Sequence, residues 1–385
     1  MQFKYLSLAA LAAGASAQTM NLTATLMSNA NLTNLTSYVS LFPSLLTSLS
    51  TATNITILAP SNDAFAAFLN SSAGMAVGLN DTTAIEAILS YHVLNGTYPA
   101  SSIMSTPAFI PTMLNNPAYS NVTGGQVVEA VAQGTSVEFY SGLLANSTVT
   151  TANVNFTGGI VHIINQVLTV PQNISYTAEQ AGLSAVAGAL TEANLVTALD
   201  SAMDVTVFAP NNAAFQAIGS ALGNLTVAEL TNILEYHVVN GTVAYSSTLK
   251  NETVTAMNGA NLTITVEGGD VFVNSAKVVT PNVLVANGVV HVIDNVLNPN
   301  NTSAAPNPAA STQSVAFAGA SSASINALTS GIPTPTSMIG AGPTPAGATS
   351  SMMSSSSSAA AAMPMRTAAV GAAALFAGAG IWLNN

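Results

Sequence analysis

Residues 56–65 read Thr-Ile-Leu-Ala-Pro-Ser-Asn-Asp-Ala-Phe, and residues 206–215 read Thr-Val-Phe-Ala-Pro-Asn-Asn-Ala-Ala-Phe. Two further phrases follow each copy in the same order: Tyr-His-Val-Leu-Asn-Gly-Thr at 91–97 and Tyr-His-Val-Val-Asn-Gly-Thr at 236–242, then Gly-Ile-Val-His-Ile-Ile at 159–164 and Gly-Val-Val-His-Val-Ile at 288–293. Recurrence of several phrases in one order indicates a repeated structural unit. The sequence therefore predicts one domain present twice.

Each copy begins with helical patterns. Leucines spaced mostly three or four apart over residues 20–50 predict two short amphipathic helices, broken at Pro43. A further helix precedes each Tyr-His pair, because apolar residues fall at i, i+3, i+4 and i+7 and the stripe ends at His92 or His237. Asp81 and Thr226 lie where these two helices begin, which predicts that both are N-caps, with Glu229 completing a capping box on Thr226.

Strand patterns follow the helices in each copy. Residues 97–157 and 242–287 alternate apolar and polar positions in short runs with glycine pairs between them, which predicts antiparallel strands joined by hairpins. The interval from His92 to His162 is longer than that from His237 to His291, so the first copy carries an extra loop around residues 103–120. The closing strands, 160–164 and 289–293, are apolar on both faces and should be buried on both. The fold class is α+β, twice over.

The three phrases resemble the hallmark segments of the fasciclin-like (FAS1) family. That family carries a block of the type Thr-Val-Phe-Ala-Pro-Thr-Asn-x-Ala-Phe, a Tyr-His dipeptide, and a closing Gly-x-Val-His-x-Ile-Asp-x-Val-Leu block. The resemblance covers residues 20–298 and implies two tandem domains, each an antiparallel β-wedge with a helical layer. The two copies differ at the position before the Ala-Phe of the first block, which is Asp63 in the first copy and Ala213 in the second.

Charge is scarce in this chain. Only 5% of its 385 residues are charged, four of them basic, and the formal net charge is −11. Nucleic-acid binding is not expected, because it requires basic side chains to neutralise phosphates. The absence of cysteine excludes disulfides and thiolate metal sites.

The two ends carry targeting patterns. Lys4, an apolar run and Ala15-Ser16-Ala17 predict a secretory signal peptide over residues 1–17. Small residues followed by an apolar tail over 368–383 predict a GPI-anchor signal, with attachment at Ser357. The predicted organisation is listed from the N-terminus: signal peptide 1–17, first domain 20–171, second domain 172–298, a Ser/Thr/Ala/Pro-rich glycosylated stalk 299–357, and a removed anchor signal 358–385.

Glycosylation sequons are dense. Seventeen Asn-x-Ser/Thr sites in a chain with a signal peptide predict a glycosylated, secreted surface protein, whose glycans supply the solubility that charge does not. The sites are Asn21, Asn31, Asn34, Asn54, Asn70, Asn80, Asn95, Asn121, Asn146, Asn155, Asn173, Asn224, Asn240, Asn251, Asn261, Asn300 and Asn301.

The four histidines are the only plausible catalytic bases or metal ligands. One interpretation pairs His92 with His162, and His237 with His291, as ligands; the favoured one places each ring in the core, hydrogen-bonded within its own domain. A zinc site needs three or four ligands, and neither copy offers a third histidine or a cysteine. No Gly-x-Ser-x-Gly elbow occurs, and no phosphate-binding glycine motif follows a strand. The sequence predicts no enzyme, no metal and no cofactor.

The resemblance also bears on function. In animal relatives, segments containing the Tyr-His pair are linked to integrin binding and adhesion, so Tyr91, His92, Tyr236 and His237 become candidate adhesion residues. Three classes remain open: an adhesion or matrix glycoprotein, a purely structural cell-wall protein, and a carrier of apolar or lipid-like ligands. Expected partners are cell-surface or cell-wall proteins or carbohydrates, including a second copy, with a lipid anchor holding the chain at the outer leaflet or the wall. Anchor and glycans suggest a fungal or plant surface, with the fungal one favoured.

Overall fold

The computed structural model describes residues 20–77, 81–310, 312–324 and 326–333. The predicted signal peptide (1–17), Asn80, Ser357 and the predicted anchor signal (358–385) lie outside the described residues. Among the helices described, none has the length and apolar character needed to cross a bilayer.

Helices open the first domain and surround its first strand. Their bounds are α1 (Leu22–Met27), α2 (Thr33–Val39), α3 (Pro43–Thr51), α4 (Asn62–Leu69), α5 (Ser72–Val77) and α6 (Thr82–Tyr91). Residues 20–50 thus form three α-helices rather than the two predicted. Pro43, expected to interrupt a helix, is the first residue of α3, a position where the missing N–H would have had no helical acceptor. Asp81 caps α6 as predicted, its side chain accepting from the Ala84 N–H at 2.9 Å.

The first domain contains one seven-stranded sheet in the order β2-β1-β7-β6-β5-β4-β3. Its strands are β1 (Ile55–Pro60), β2 (Val93–Asn95), β3 (Ala108–Pro111), β4 (Val127–Gln133), β5 (Ser136–Tyr140), β6 (Asn146–Phe156) and β7 (Gly159–Ile164). The α+β class is confirmed, but the sheet is mixed rather than wholly antiparallel, because β1 and β7 run parallel. Parallel strands need a long connection, and here that connection contains α4–α6 and β2–β6.

The second domain repeats this architecture. Its helices are α7 (Ile174–Gln180), α8 (Ser184–Glu192), α9 (Val196–Ser201), α10 (Asn212–Ala217), α11 (Gly219–Leu222) and α12 (Val227–Tyr236). Its strands are β8 (Val205–Pro210), β9 (Val238–Val239), β10 (Glu252–Thr255), β11 (Asn261–Glu267), β12 (Asp270–Val273), β13 (Ala276–Val285) and β14 (Gly288–Ile293). β8 and β14 form the parallel pair, and Thr226 with Glu229 forms the expected capping box on α12.

The parallel pair divides each domain into two cores. In the first domain, Ile57 and Val161 belong to the core that packs against the helices. Leu58 and Ile164 belong to a second core, which they share with side chains of β4 and β5. Both faces of the closing strands are therefore buried, as predicted.

The extra residues of the first domain form an interface with the second. Residues 112–126 connect β3 to β4, where the second domain has only 256–260. Within this loop, Asn121 N–H donates to the Ala286 carbonyl at 2.7 Å, and Gln126 Nε2 donates to the Val285 carbonyl at 3.0 Å. Thr123 donates to the Asp204 carboxylate from both its N–H, at 2.7 Å, and its hydroxyl, at 2.5 Å. The insertion thus has a structural role that its sequence does not reveal.

Two further contacts extend this interface. Phe109 of β3 stacks on Tyr245 with ring centroids 4.1 Å apart and planes 8° from parallel. Leu144, in a short 3-10 helix (Gly142–Leu144), is fully buried in the core of the second domain. Contacts of this kind restrict the movement of one domain relative to the other.

Glu129 is buried in this interface. Its Oε1 accepts from Asn282 Nδ2 at 3.4 Å, while among the described residues its Oε2 has no hydrogen-bond partner. Burial raises the pKa of Glu129 from its ordinary 4.5 to about 8. The folded protein therefore holds a proton on this carboxyl that the unfolded chain releases above pH 4.5.

We expect Glu129→Gln to stabilise the protein at alkaline pH. Below pH 4.5 the carboxyl is neutral in both the folded and the unfolded protein and does not change the free energy of unfolding. As pH rises from 4.5 towards 8, the free energy of unfolding of the wild type falls by about 1.4 kcal/mol per pH unit relative to that of the neutral amide variant. Denaturant unfolding of both proteins between pH 5 and 9 measures the difference, with the exposed Glu267→Gln as control. A difference between Glu129→Gln and wild type that stays constant with pH would contradict this account.

A segment that follows the second domain packs against it. Residues 312–333 were expected to belong to a stalk beginning at 299, yet Gln313, Ala316 and Leu328 are buried. The short helix α13 (Asn326–Thr329) packs against α8. The Ser- and Ala-rich composition of this segment indicated a solvated linker, but its few apolar residues are sufficient to dock it.

Candidate functional site

Each Tyr-His histidine bridges a helix end and the segment that follows the closing strand. In the first domain, His92 Nδ1 donates to the Ile88 carbonyl at 2.7 Å, and its Nε2 accepts from Leu168 N–H at 2.9 Å. In the second, His237 makes the same two bonds, to the Ile233 carbonyl at 2.7 Å and from Leu297 N–H at 2.9 Å. The prediction that both rings are buried and bonded within their own domain is confirmed.

The closing-phrase histidines use the opposite tautomer. His162 Nε2 donates to the Tyr98 carbonyl at 2.9 Å, while its Nδ1 accepts from Asn153 N–H at 3.2 Å. His291 repeats this with the Ala244 carbonyl at 2.8 Å and Asn282 N–H at 3.3 Å. All eight ring nitrogens of the four histidines are therefore engaged with backbone groups.

These bonds determine what the rings can do chemically. Burial lowers the pKa of His92, His237 and His291 to about 4, and lowers that of His162. A neutral imidazole with one donor and one acceptor bond has no free lone pair for a metal or a proton. No group of three or more His, Cys, Asp and Glu side chains suited to a metal ion lies within the described ranges.

Sequence comparison identifies the family of this paired arrangement. A family model for the fasciclin domain matches residues 30–171 and 181–299. The chain belongs to the fasciclin family. A fasciclin-like arabinogalactan protein of Arthroderma benhamiae is 38% identical over 309 residues, covering 80% of this chain and 73% of that protein.

Two further similarities are to proteins with fasciclin names. A fasciclin-like arabinogalactan protein of Phaeosphaeria nodorum is 32% identical over 256 residues, covering 66% of this chain and 81% of that protein. A solved FAS1 domain pair from the insect cell adhesion molecule fasciclin I is 21% identical, with a TM-score of 0.34, and covers 68% of this chain and 94% of that one.

The fasciclin Tyr-His pairs lie inside both domains. Tyr91 and Tyr236 are 0% exposed, His92 is 4% exposed and His237 2%. Tyr91 Oη donates to the Val127 carbonyl at 2.8 Å, and Tyr236 Oη donates to the Asn261 carbonyl at 2.7 Å. A binding partner could contact these candidate adhesion side chains only if the domain opened. In the folded domain they influence the surface only by positioning the backbone to which they are bonded.

An asparagine that sequence reasoning missed positions each closing histidine. Asn153 and Asn282 adopt left-handed backbone conformations, at φ 59° and 63°, where the strand register shifts. Their Oδ1 atoms accept from Ala100 N–H at 3.0 Å and Ser246 N–H at 2.9 Å. A signal was available, because Thr-x-Asn-Val precedes each closing histidine at the same distance. Asparagine tolerates this conformation better than most residues do.

The sequons lie mainly on the surface. Thirteen of the described sequon asparagines are exposed: Asn21, Asn31, Asn34, Asn54, Asn70, Asn95, Asn155, Asn173, Asn224, Asn240, Asn251, Asn261 and Asn300. Asn121, Asn146 and Asn301 are partly buried. Asn146 Nδ2 donates to Glu138 Oε2 at 3.0 Å and Tyr140 Oη at 3.3 Å, bonds that a glycan on the same nitrogen would disrupt.

A small apolar cavity bears on the carrier hypothesis. It lies between the helices and β1 of the first domain, has a volume of about 60 Å³, and is lined by Leu26, Tyr38, Phe65 and His92, among others. A cavity of roughly 150 Å³ is needed to hold a molecule the size of benzene. The cavity is therefore too small for a lipid chain unless the helices move.

Proposed function

We propose that this protein is a cell-surface or cell-wall glycoprotein that mediates adhesion or matrix assembly through its tandem fasciclin domains. The observation that carries the proposal is the distribution of thirteen exposed sequons over both domains. The fungal relatives are named as arabinogalactan proteins, which supports an extracellular or wall location. The expected partner is a surface or wall protein or carbohydrate, or a second copy.

The proposal includes a non-enzymatic mechanism. The histidines hold backbone segments together instead of moving protons, and the interface around Phe109 and Tyr245 joins the two domains firmly. A rigid pair presents two surfaces at a set spacing, which raises avidity when both bind one partner. A purely structural wall protein would use the same rigidity without specific binding, and the small cavity disfavours a lipid carrier.

One experiment tests both anchoring and adhesion. A phosphatidylinositol-specific phospholipase should release the glycosylated chain from cells, because the tail over 368–383 predicts a lipid anchor. Beads coated with the released protein should then aggregate, or adhere to wall fragments, whereas beads coated with heat-unfolded protein should not. If the phospholipase does not release the chain, the lipid-anchor prediction is wrong, but the adhesion proposal is unaffected. Released protein that coats beads without any adhesion would instead favour the purely structural role.

A further inference from the structure

The chain's own residues 312–324 and 326–333, called the strap here, lie in a groove on the helical side of the second domain. The strap begins against the end of the closing strand, where Asn295 Nδ2 donates to the Ser314 carbonyl at 3.3 Å and Asn298 Nδ2 donates to the Ala316 carbonyl at 3.1 Å. It then crosses α10 and α11, where Ala323 N–H donates to the Gln216 carbonyl at 3.1 Å and Ser220 N–H donates to the Ser321 carbonyl at 3.1 Å.

Side-chain packing completes this docking. Phe317, Ala320, Leu328 and Ile332 pack against the helical-side core of the second domain. Two glycines allow the strap to approach closely: a Cβ added at Gly188 would lie 1.4 Å from the Leu328 carbonyl oxygen, and one added at Gly219 would lie 2.6 Å from Ala323 Cβ. The second domain is thus shaped to bind an extended segment rich in small residues.

The first domain has a groove at the equivalent place, which is open and is also lined by Gln172 and Tyr176 from the start of the second domain. Its volume is about 540 Å³, and its lining includes Ala67, Phe68, Ile88, Gln166, Val167 and Thr169. Their counterparts in the second domain are Ala217, Ile218, Ile233, Asn295, Val296 and Asn298. Asn295 and Asn298 are the residues that bind the start of the strap, so the open groove is the equivalent of an occupied peptide site.

We propose that this groove of the first domain binds an extended, uncharged peptide segment of a partner protein, rich in small residues and carrying one apolar anchor equivalent to Phe317. The chemistry on both sides matches, because none of the described residues that line the groove is charged and the sequence of the strap contains no charged residue. The Gln166 amide can donate to a peptide carbonyl as Asn295 does. Extended peptides recognised in this way gain affinity from main-chain hydrogen bonds and specificity from side-chain pockets.

The first domain should accept only the first part of such a segment. Ser37 and Leu69 stand where the second domain has Gly188 and Gly219, so the close approach made by Ala323 and Leu328 has no room there. The expected ligand therefore matches residues 313–320 of the strap, and the strap itself remains better suited to its own domain.

A labelled peptide with the sequence of residues 313–324, titrated onto the full-length glycoprotein, tests this proposal by fluorescence anisotropy. We expect saturable binding that Ala67→Trp weakens at least tenfold by filling the groove. Ala66→Trp, at the adjacent exposed position of α4 that does not line the groove, should leave the affinity unchanged. Replacing the phenylalanine of the peptide with alanine should also weaken binding. Equal melting temperatures of the two variants would show that both are folded.

Three results would overturn the proposal. The first is absence of binding, or binding that is insensitive to Ala67→Trp. The second is binding only after enzymatic removal of N-glycans, which would make a glycan on the neighbouring Asn70 or Asn173 the occupant. The third is a dimer sensitive to Ala67→Trp without peptide binding, which would make a second copy the occupant. Peptide affinity is measured separately from bead adhesion, so the peptide-binding proposal and the adhesion proposal can be refuted independently.

Discussion

We expect His237→Ala to lower the free energy of unfolding of the second domain by about 2–4 kcal/mol. The substitution leaves the Leu297 N–H and the Ile233 carbonyl without their imidazole partner and opens a cavity behind α12. It should also change the acid sensitivity. The folded pKa of about 4 lies below the ordinary 6.5, so the contribution of His237 to stability is fully present above pH 6.5 and is lost progressively as pH falls from 6.5 to 4. Thermal unfolding at pH 7.5 and pH 5 measures both effects.

His92→Ala is the matched control, since the same two bonds exist in the first domain. It should destabilise that domain by a similar amount and leave the second unfolding transition in place. A His237→Ala protein that keeps its melting temperature but loses adhesion would reverse this interpretation and make the Tyr-His pair a contact site.

An even larger effect is expected for the glycine that opens each closing strand. A Cβ added at Gly288 would lie 1.9 Å from the Val205 carbonyl oxygen, and one added at Gly159 would lie 1.9 Å from the Ile55 carbonyl oxygen. Because each oxygen belongs to the parallel partner strand, relief requires the central strand pair to separate. We expect Gly288→Ala to cost more than about 4 kcal/mol, enough to unfold the second domain at ordinary stabilities.

Differential scanning calorimetry of Gly159→Ala and Gly288→Ala also tests how far the two domains depend on each other. If each domain folds independently, each variant should lose one transition and keep the other. Gly223→Ala, which adds a Cβ into open space, is the control and should behave as wild type. Loss of both transitions in either variant would show that the interface around Leu144 and Phe109 couples the domains.

Much of the fold could be predicted because its signals are local or repeated. The stripe ending at His237 predicted a helix with a buried imidazole, and Thr226 with Glu229 predicted the capping box. The break at Pro43 could be predicted because proline does not continue a helix, but its place as the first residue of α3 depends on where the preceding chain turns. Whether β1 and β7 run parallel or antiparallel could not be predicted, because a strand that is apolar on both faces fits either arrangement.

Periodicity and short motifs along the chain were enough to predict the duplicated fasciclin fold, the burial of its Tyr-His pairs and the positions of its sequons. The roles of the less patterned segments became visible only in the folded chain. The insertion 112–126 joins the domains, and the Ser- and Ala-rich residues 312–324 and 326–333 fill the groove of the second domain, whereas the equivalent groove of the first domain is open. These contacts join residues that are far apart in the chain. They depend on main-chain hydrogen bonds and on the close approach that small residues allow, and neither kind of contact produces a periodic pattern in the sequence.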